Sequence, residues 1–459
     1  LCNHISIFII DVMPLSKKPS RGFTMVETLV ALGVLAIFFL SVVVILRTIL
    51  NTVASSRIRT TSLSLAQQKM EAIRNLPYVS VGTIGGIPQG SLLQTEVITI
   101  SGQVFTVKTN IVYIDDPFDA KAPSDIISAD YKRTRVEVSW SGAFPSKYPV
   151  TLVTNIVPKG IETISGGGTL FIQVFDANSL PVSNASVSID NTSMVPEIHI
   201  QTLTDVNGFV SLPGAPACIT CYKITVTKTG YSTSRTYGSS EVANPLQPHP
   251  TVIEGQITQL TFAIDRTSTL IVNSFGSRES GYPVLGNVLF TLRGSKTIGT
   301  DTLDEPVYKY SFSTNTGGGT VSIPDLEWDT YIFDLSNSYH NLGGSNPVSP
   351  FALPPNTTLT AQVVGIPKTS TSLLVVAKTS GDTPLASASA HLTSSSLSFD
   401  QTKFTGATGS ADFGQTFFSG LTSGNYDLKI SLAGYQDATS SVSLIGAKQE
   451  LLILNPIAP

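Results

Sequence analysis

The sequence predicts a multidomain α+β chain: one long N-terminal helix, a small antiparallel sheet, and then three all-β repeats. Three observations carry this expectation. Residues Leu29 to Leu46 run without a charge. Residues 92–157 read as short strands, with a hairpin signal at Ser101-Gly102 and polar–apolar alternation over Arg133–Trp140. Beyond Gly166 four landmarks recur three times in the same order. The length of 459 residues leaves room for about three to five domains. Hydrophobic residues make 41% and charged residues 13%, which is not the balance of a disordered chain, poor in apolar residues and rich in charge. Ser and Thr replace charge as the polar residues, which suits strands and turns. A net charge of −4 gives no basic nucleic-acid footprint, so no nucleic-acid partner is expected. Three cysteines exclude a scaffold built from disulfides, and five histidines leave little material for a metal or acid–base centre.

The uncharged run comes first. As a helix it spans about 27 Å, close to the thickness of a bilayer core. Lys17, Lys18 and Arg21 precede it, and Glu27 is the acid between them and the run. Positive flanking charge holds the N-terminus in the cytoplasm and sends the C-terminal bulk outside. Arg47 closes the run where a long side chain reaches the interface. Glu27 is the anomaly: a carboxylate near hydrocarbon normally has a partner or a function, although a helix start also favours an acid. After Arg47 the pattern turns amphipathic, with Ile49, Val53, Leu63, Ala66, Met70, Ile73 and Leu76 at mostly three- and four-residue steps. Pro77 ends the helix. One helix of about 50 residues, Phe23 to Leu76, is expected, about 80 Å long.

The small sheet is next. Thr95–Ile100 and Gln103–Lys108 flank Ser101-Gly102, a hairpin signal, and Thr109–Ile114 can extend the second strand. Arg133–Trp140 alternates, and Pro149–Val157 closes the set of four. The insert from Asp115 to Asp130 carries Asp115, Asp116, Asp119, Asp125 and Asp130. It reads as a solvated loop, with a calcium site as the alternative, although EF-type ligand spacing is missing.

Gly166-Gly167-Gly168 marks a linker to the repeats. The opening strands place Leu170, Leu270 and Leu373 at intervals of 100 and 103 residues. Next come Pro181-Val182, Pro283-Val284 and Pro384-Leu385, each before an alternating strand. Gly turns follow at Thr204–Gly208, Thr314–Gly318 and Thr405–Gly409, and then Tyr strands at Tyr222–Tyr231, Tyr331–Tyr339 and Tyr426–Tyr435. The middle copy departs most. It has an insert, roughly Lys296 to Tyr308, and no terminal Gly-Tyr pair like Gly230-Tyr231 and Gly434-Tyr435.

Motifs of enzymes are missing: no HExxH, P-loop, GxSxG or Rossmann fingerprint is present. No catalytic residue, cofactor or metal site is expected. Cys218 and Cys221 have CxxC spacing, but a zinc site needs two further ligands. A local disulfide, or failing that two reduced thiols, is expected there. Asp205, Asn207 and Gly208 fit a hairpin turn better than half a calcium loop. Trp140 and Trp328 both fall in strand-like contexts and read as packing residues, as do Tyr231 and Tyr435.

The string from Lys17 to Leu29, KKPSRGFTMVETL, resembles the prepilin cleavage site of type IV pilins and pseudopilins. Arg21, Gly22, Phe23 and Glu27 stand where that family has its basic leader end, the Gly before the cut, the Phe after it and the acid at the fifth mature position. The resemblance implies that a membrane prepilin peptidase cuts between Gly22 and Phe23 and N-methylates Phe23. It also implies that Glu27 acts in assembly, paired with the amine of Phe23 on a neighbouring pilin subunit. Such a pair is a weak source of stability but a good register device. Met13 would start a leader MPLSKKPSRG ending at Gly22, leaving Cys2 and His4 in an upstream extension. The stretch Leu65 to Tyr78 is similar to that of minor pilins of the pilus-modification type. The landmark order of the repeats resembles carboxypeptidase regulatory-like domains, which are transthyretin-like β-sandwiches of seven strands without peptidase chemistry.

These resemblances complete the expected organisation: leader 1–22, pilin helix 23–77 with a transmembrane part 29–46, pilin β head 78–164, and transthyretin-like sandwiches at 165–266, 267–369 and 370–459. The expected protein is a minor type IV pilin-like subunit. It would sit in the cytoplasmic membrane as a single-pass precursor, among lipid with its C-terminus outside, and then join an extracellular pilus. The sandwiches would serve adhesion, toward an unspecified surface ligand, or act as spacers. About 290 residues of repeats beside a head of about 85 argue sterically against the major subunit. The alternatives are a pseudopilin of a type II secretion or DNA-uptake system, and an uncleaved membrane-anchored surface protein.

Overall fold

The computed structural model describes residues 24–116, 118, 129–142, 145, 148–158, 167–336 and 339–457. The chain divides into two compact units. One comprises Leu1–Glu71, Glu96–Val107 and Glu137–Leu152, the other Ala72–Thr95, Lys108–Val136 and Val153–Pro459.

The first unit is dominated by helix α1 (Met25–Arg74). Its two halves differ because their sequences do. From Met25 to Leu50 large apolar side chains stand exposed, Met25 at 86% and Leu40 at 67%. Further on, Ser62, Leu65, Ala66 and Met70 are buried in one stripe with helical spacing. Lys69 pairs with Glu96. Phe105, Val107 and Val138 are the buried strand residues of this unit.

Four strands, β1 (Thr95–Ile100), β2 (Gln103–Ile114), β3 (Tyr131–Trp140) and β4 (Val150–Ile156), form one sheet in chain order. In β3, and in β2 from Phe105 to Ile111, every second residue is buried, which for β3 is the period-two alternation read from the sequence over Arg133–Trp140.

In the second unit the remaining strands make paired sheets. After the linker come β5 (Gly167–Phe175), β6 (Ser186–Asn191), β7 (Ile198–Leu203), β8 (Phe209–Pro216), β9 (Lys223–Thr227), β10 (Ser234–Arg235), β11 (Asn244–Pro245) and β12 (Ile257–Ala263). They form sheets β12-β5-β8 and β10-β9-β6-β7. Leu170, Ile172 and Val174 from the first sheet and Val187, Ile189, Ile224 and Val226 from the second share one buried core. A sandwich results.

The next strands are β13 (Ser268–Phe275), β14 (Leu289–Gly294), β15 (Thr297–Thr300), β16 (Pro306–Tyr308), β17 (Ser311–Asn315), β18 (Thr320–Leu326), β19 (Asp329–Asp334), β20 (His340–Asn346), β21 (Phe351–Leu353) and β22 (Thr358–Pro367). Sheets β18-β13-β22-β20 and β17-β14-β19-β21 enclose a second core around Leu270, Phe290 and Tyr331. The insert forms hairpin β15–β16, and β15 leaves its own sandwich to pair with β11, Thr300 opposite Asn244.

The last strands are β23 (Ser372–Thr379), β24 (Ser389–Ser394), β25 (Phe399–Phe404), β26 (Gln415–Ser419), β27 (Gly424–Ser431), β28 (Ala438–Leu444) and β29 (Ala447–Leu454). Sheets β26-β23-β29 and β25-β24-β27-β28 hold a third core around Leu373, Leu392 and Tyr426.

One plan underlies the three. In each, the opening strand pairs in parallel with the closing strand: Thr169 with Ile257, Thr269 with Thr358, Ser372 with Ala447. Leu170, Leu270 and Leu373 are fully buried on those opening strands. Tyr222, Tyr331 and Tyr426 are each buried, and their hydroxyls donate to the carbonyls of Pro216, Glu327 and Thr422 at 2.8–2.9 Å. A buried threonine hydroxyl braces the turn. Thr204 accepts from the Ala185 N–H and donates to the Val182 carbonyl, and Thr405 does the same with Ala388 and Leu385. The counterpart in the middle copy is Thr316, which accepts from the Val288 N–H at 3.1 Å, and not the sequence landmark Thr314. Gly208, at φ +76°, sits in the first of these turns, where a Cβ would come within 2.4 Å of the Val174 carbonyl.

The sandwiches also hold one another and a loop from the preceding segment. Ile87, beyond the helix, is 1% exposed and belongs to the core of the first sandwich, although the sequence places it in the head. The neighbouring Gly85 carbonyl accepts from the His199 N–H at 2.8 Å. Between the second and third sandwiches, Val348, Leu374 and Val376 form a small buried cluster of their own.

Candidate functional site

The residues with the most specific sequence signal lie at the start of α1. Gly22 and Phe23 lie outside the described residues, and Glu27 is carried by the first turns of α1. Past Glu27 the helix presents a membrane-grade surface. The span Thr28–Arg74 contains a window of mean hydropathy 3.2, none of it buried. Hydroxyls along it bond back within the helix. Ser41 donates to the Ile37 carbonyl at 2.8 Å, Thr48 to Val44 at 2.9 Å and Thr52 to Thr48 at 2.8 Å. This bonding to the preceding turn lets a helix carry Ser and Thr into a medium without water.

The far end of the helix is followed by a polar anchor that sequence reading missed. Lys132 on β3 is 2% exposed, and its ammonium donates to the carbonyls of Tyr78 and Val81, both at 3.0 Å. It also lies 4.4 Å from the centre of the Tyr78 ring. A lysine on an alternating strand with its head group on two main-chain carbonyls fixes the segment after Pro77 in place. The signal for it was present, since Lys132 falls on the buried parity of β3.

The other candidates are quieter. Cys218 and Cys221 are joined as a disulfide with Cα atoms 6.1 Å apart, and the Asn191 amide donates to the Cys221 sulfur at 3.2 Å. Asp205 Oδ1 accepts from the N–H groups of Asn207 and Phe209 at 2.9 and 2.8 Å, so it is occupied in shaping the turn. Asp119 and Asp125 lie outside the described residues, while Asp130 Oδ2 accepts from the Asp116 N–H at 2.6 Å. Among the described residues no group of three His, Cys, Asp or Glu is placed to hold a metal. Tyr231 and Tyr435 pack against the first and third cores. Trp140 and Trp328 are both half-buried. Trp328 lies outside the three sandwich cores, in the connection from β18 to β19, which core strands flank on both sides.

Comparison with known sequences bears on the helix. The model of the prokaryotic N-terminal methylation motif matches residues 17–43. The chain carries a prepilin-type methylation signal. That match ends within the apolar helix and says nothing of the sheets. No curated protein matches the chain. Among solved structures, the TIE protein of Bacillus anthracis is similar at 13% identity and a TM-score of 0.18, over 79% of this chain and 73% of that one. GBS52, the minor pilin of Streptococcus agalactiae, is similar at 16% identity and a TM-score of 0.17, over 42% of this chain and 97% of its own. BcpA, the major pilin subunit of Bacillus cereus, is similar at 9% identity and a TM-score of 0.16, over 63% and 99%. At these scores the three structures carry no argument about the fold or role of this chain.

Proposed function

We propose that the chain is a minor type IV pilin-like subunit that displays β-sandwich modules. The observation that carries this reading is the methylation motif at 17–43, which runs into a helix whose most apolar window has none of its residues buried. Such a surface needs lipid or other helices around it. Prepilin peptidase cuts the Gly22–Phe23 bond and methylates the Phe23 amine. The mature helix then leaves the bilayer for a filament, with Glu27 pairing the terminal amine of a neighbouring subunit. The C-terminal part is exported, in keeping with the basic flank at Lys17, Lys18 and Arg21. The three sandwiches are spacer or adhesive modules, and the role involves no catalysis.

The test is co-expression with a prepilin peptidase followed by mass spectrometry of the N-terminus. N-methylated Phe23 is the expected result. An intact leader, with the peptidase shown to be active on a control pilin, overturns the reading and leaves a membrane-anchored β-sandwich protein.

A further inference from the structure

The three sandwiches share a parallel pair of opening and closing strands, yet each treats the far edge of its closing strand differently. The register is the same in all three. Thr169, Thr269 and Ser372 begin the pairs, and their N–H groups donate to the carbonyls of Gln256, Thr357 and Gly446 at 2.9, 2.9 and 3.4 Å. Main-chain groups alternate sides along a strand, so every second residue after those carbonyls faces the opening strand and the residues between them face away. In the first sandwich one outward carbonyl, that of Thr261, accepts from the Gln247 side chain at 2.8 Å. In the second, strand β20 lies along the edge, antiparallel to β22, with Asn346 opposite Gln362 and Ser345 opposite Val363. In the third, β29 ends its sheet, and among the described residues no strand pairs along its far side.

By the same alternation Ala447, Gln449, Leu451 and Ile453 turn their main chain to the open edge of β29. Natural sheets guard such an edge with a proline or a bulge. Here no proline stands on β29, and its pairing with β23 runs from Ala447 to Leu454 without a register shift. Leu451 and Ile453 on the strand, and Ile445 just before it, are exposed. The Gln449 side chain is held by the Ser349 carbonyl at 3.2 Å, and Lys448 lies 3.3 Å from Glu450 of its own strand. The sequence of this edge is complementary to itself. Two copies laid antiparallel about Gln449 put Lys448 opposite Glu450, Ala447 opposite Leu451 and Ile445 opposite Ile453, each pair twice. Centring the pair on Lys448 or on Glu450 instead sets like charges face to face.

We propose that β29 pairs antiparallel with β29 of a second copy of this chain, centred on Gln449, so that two three-stranded sheets join into one of six. The strand β20 shows, within the same molecule, that a closing strand of this plan accepts an antiparallel neighbour on that side. The pairing goes beyond the display role above and does not rest on it.

The full chain is placed one copy per lipid nanodisc, which keeps the apolar helices of two copies apart. Sedimentation velocity is expected to show a monomer–dimer equilibrium with a Kd between about 1 and 200 µM. Lys448→Glu and Glu450→Lys are each expected to weaken self-association at least about tenfold, because each sets like charges opposite one another. Mixing these two variants is expected to restore a dimer within about threefold of the parent Kd, since both cross-strand pairs are then opposite in sign. Gln449→Cys, made with Cys2→Ser, is expected to form a disulfide-linked dimer on mild oxidation. Opposed Cα atoms of a hydrogen-bonded pair lie about 5.5 Å apart, within disulfide reach. Asn425→Cys, exposed on the inner strand β27, is expected to stay monomeric under the same oxidation. A parent chain still monomeric at about 500 µM, a mixture that associates no better than either charge variant alone, or crosslinking of Asn425→Cys as fast as Gln449→Cys overturns the proposal.

Discussion

Arg278 of the second sandwich and Asp412 of the third are clamped together across the joint between them. The guanidinium Nε lies 2.9 Å from Asp412 Oδ2, while the Tyr282 hydroxyl donates to the other carboxylate oxygen at 2.5 Å. The remaining guanidinium nitrogens donate to the carbonyls of Phe404 and Gln415 at 2.6 and 2.9 Å. Beside them Gln415 exchanges two bonds with the Ser345 main chain. The Asp412 side chain is 6% exposed and that of Arg278 32%, so the carboxylate suffers more from losing its partner. Arg278→Ala is expected to cost about 2–4 kcal/mol, below the full cost of breaking a buried pair because Tyr282 and Ser410 still donate. Adding Asp412→Ala should recover part of that loss. Urea unfolding of the single and double variants measures it, and a cost under about 0.5 kcal/mol would mean the pair behaves as a surface one.

Two of the core tyrosines, Tyr222 and Tyr331, give the chain an alkaline limit. Burial pushes the Tyr222 hydroxyl up to about 12 and moves Tyr331 up further. A raised folded value means that the neutral form is the one the native state holds. For Tyr222 the stability is therefore full below pH 10 and is lost as the pH climbs from 10 to about 12. The loss amounts to roughly 2–3 kcal/mol. Tyr222→Phe is expected to cost about 1–2 kcal/mol at neutral pH, because the Pro216 carbonyl loses its donor. The same variant should flatten the decline above pH 10. Thermal midpoints from pH 7 to 12 read both effects.

Ile87 ties the segment after the helix to the first sandwich. It is 1% exposed in a core otherwise supplied by residues 170–264. Ile87→Ala is expected to cost about 2–4 kcal/mol, the usual range for an emptied aliphatic site. Gly85→Ala attacks the same contact differently. At φ +68° the added Cβ would lie 2.4 Å from the Glu197 carbonyl oxygen, so the His199 bond must open. Both variants should lower the unfolding midpoint of the first sandwich. Hydrogen exchange at β6 and β7 locates the effect, and protection unchanged from the parent there would refute the tie.

Local order in the chain made some of this fold legible in the sequence. The uncharged run and Pro77 mark α1, the Ser101-Gly102 hairpin signal marks β1 and β2, and alternation marks β3. The spacing of Leu170, Leu270 and Leu373 marks three equivalent opening strands because each must bury the same face. The features that escaped depend on partners distant in sequence. Gly85-Gly86-Ile87-Pro88 falls inside the span expected to be the pilin head, and nothing local says that Ile87 leaves its own segment for another core. Trp328 lies between Leu326 and Tyr331, two core residues, so its neighbours suggest packing while the chain turns it toward a cleft. Thr314 and Thr316 differ only in parity, and the register of β17 decides which one braces the turn. At the cleavage site the position is reversed, because the motif is explicit in the sequence while Gly22 and Phe23 lie outside the described residues.

Two substitutions separate processing from assembly. Gly22→Val places a branched side chain beside the bond to be cut, where glycine leaves it open. The expected outcome is a chain of unprocessed mass that stays in the membrane fraction. Glu27→Gln keeps the size and polarity of the side chain but removes its charge. The leader should still be cut and Phe23 methylated, because the altered residue lies beyond the bond. Recovery in sheared filaments should fall by about tenfold or more, since the terminal amine of the neighbouring subunit is then buried without a counter-charge. Mass spectrometry of the N-terminus and immunoblots of sheared and membrane fractions read the two steps independently. If Glu27→Gln enters filaments as well as the parent, the acid is only an interfacial charge at a helix start and has no part in setting the register.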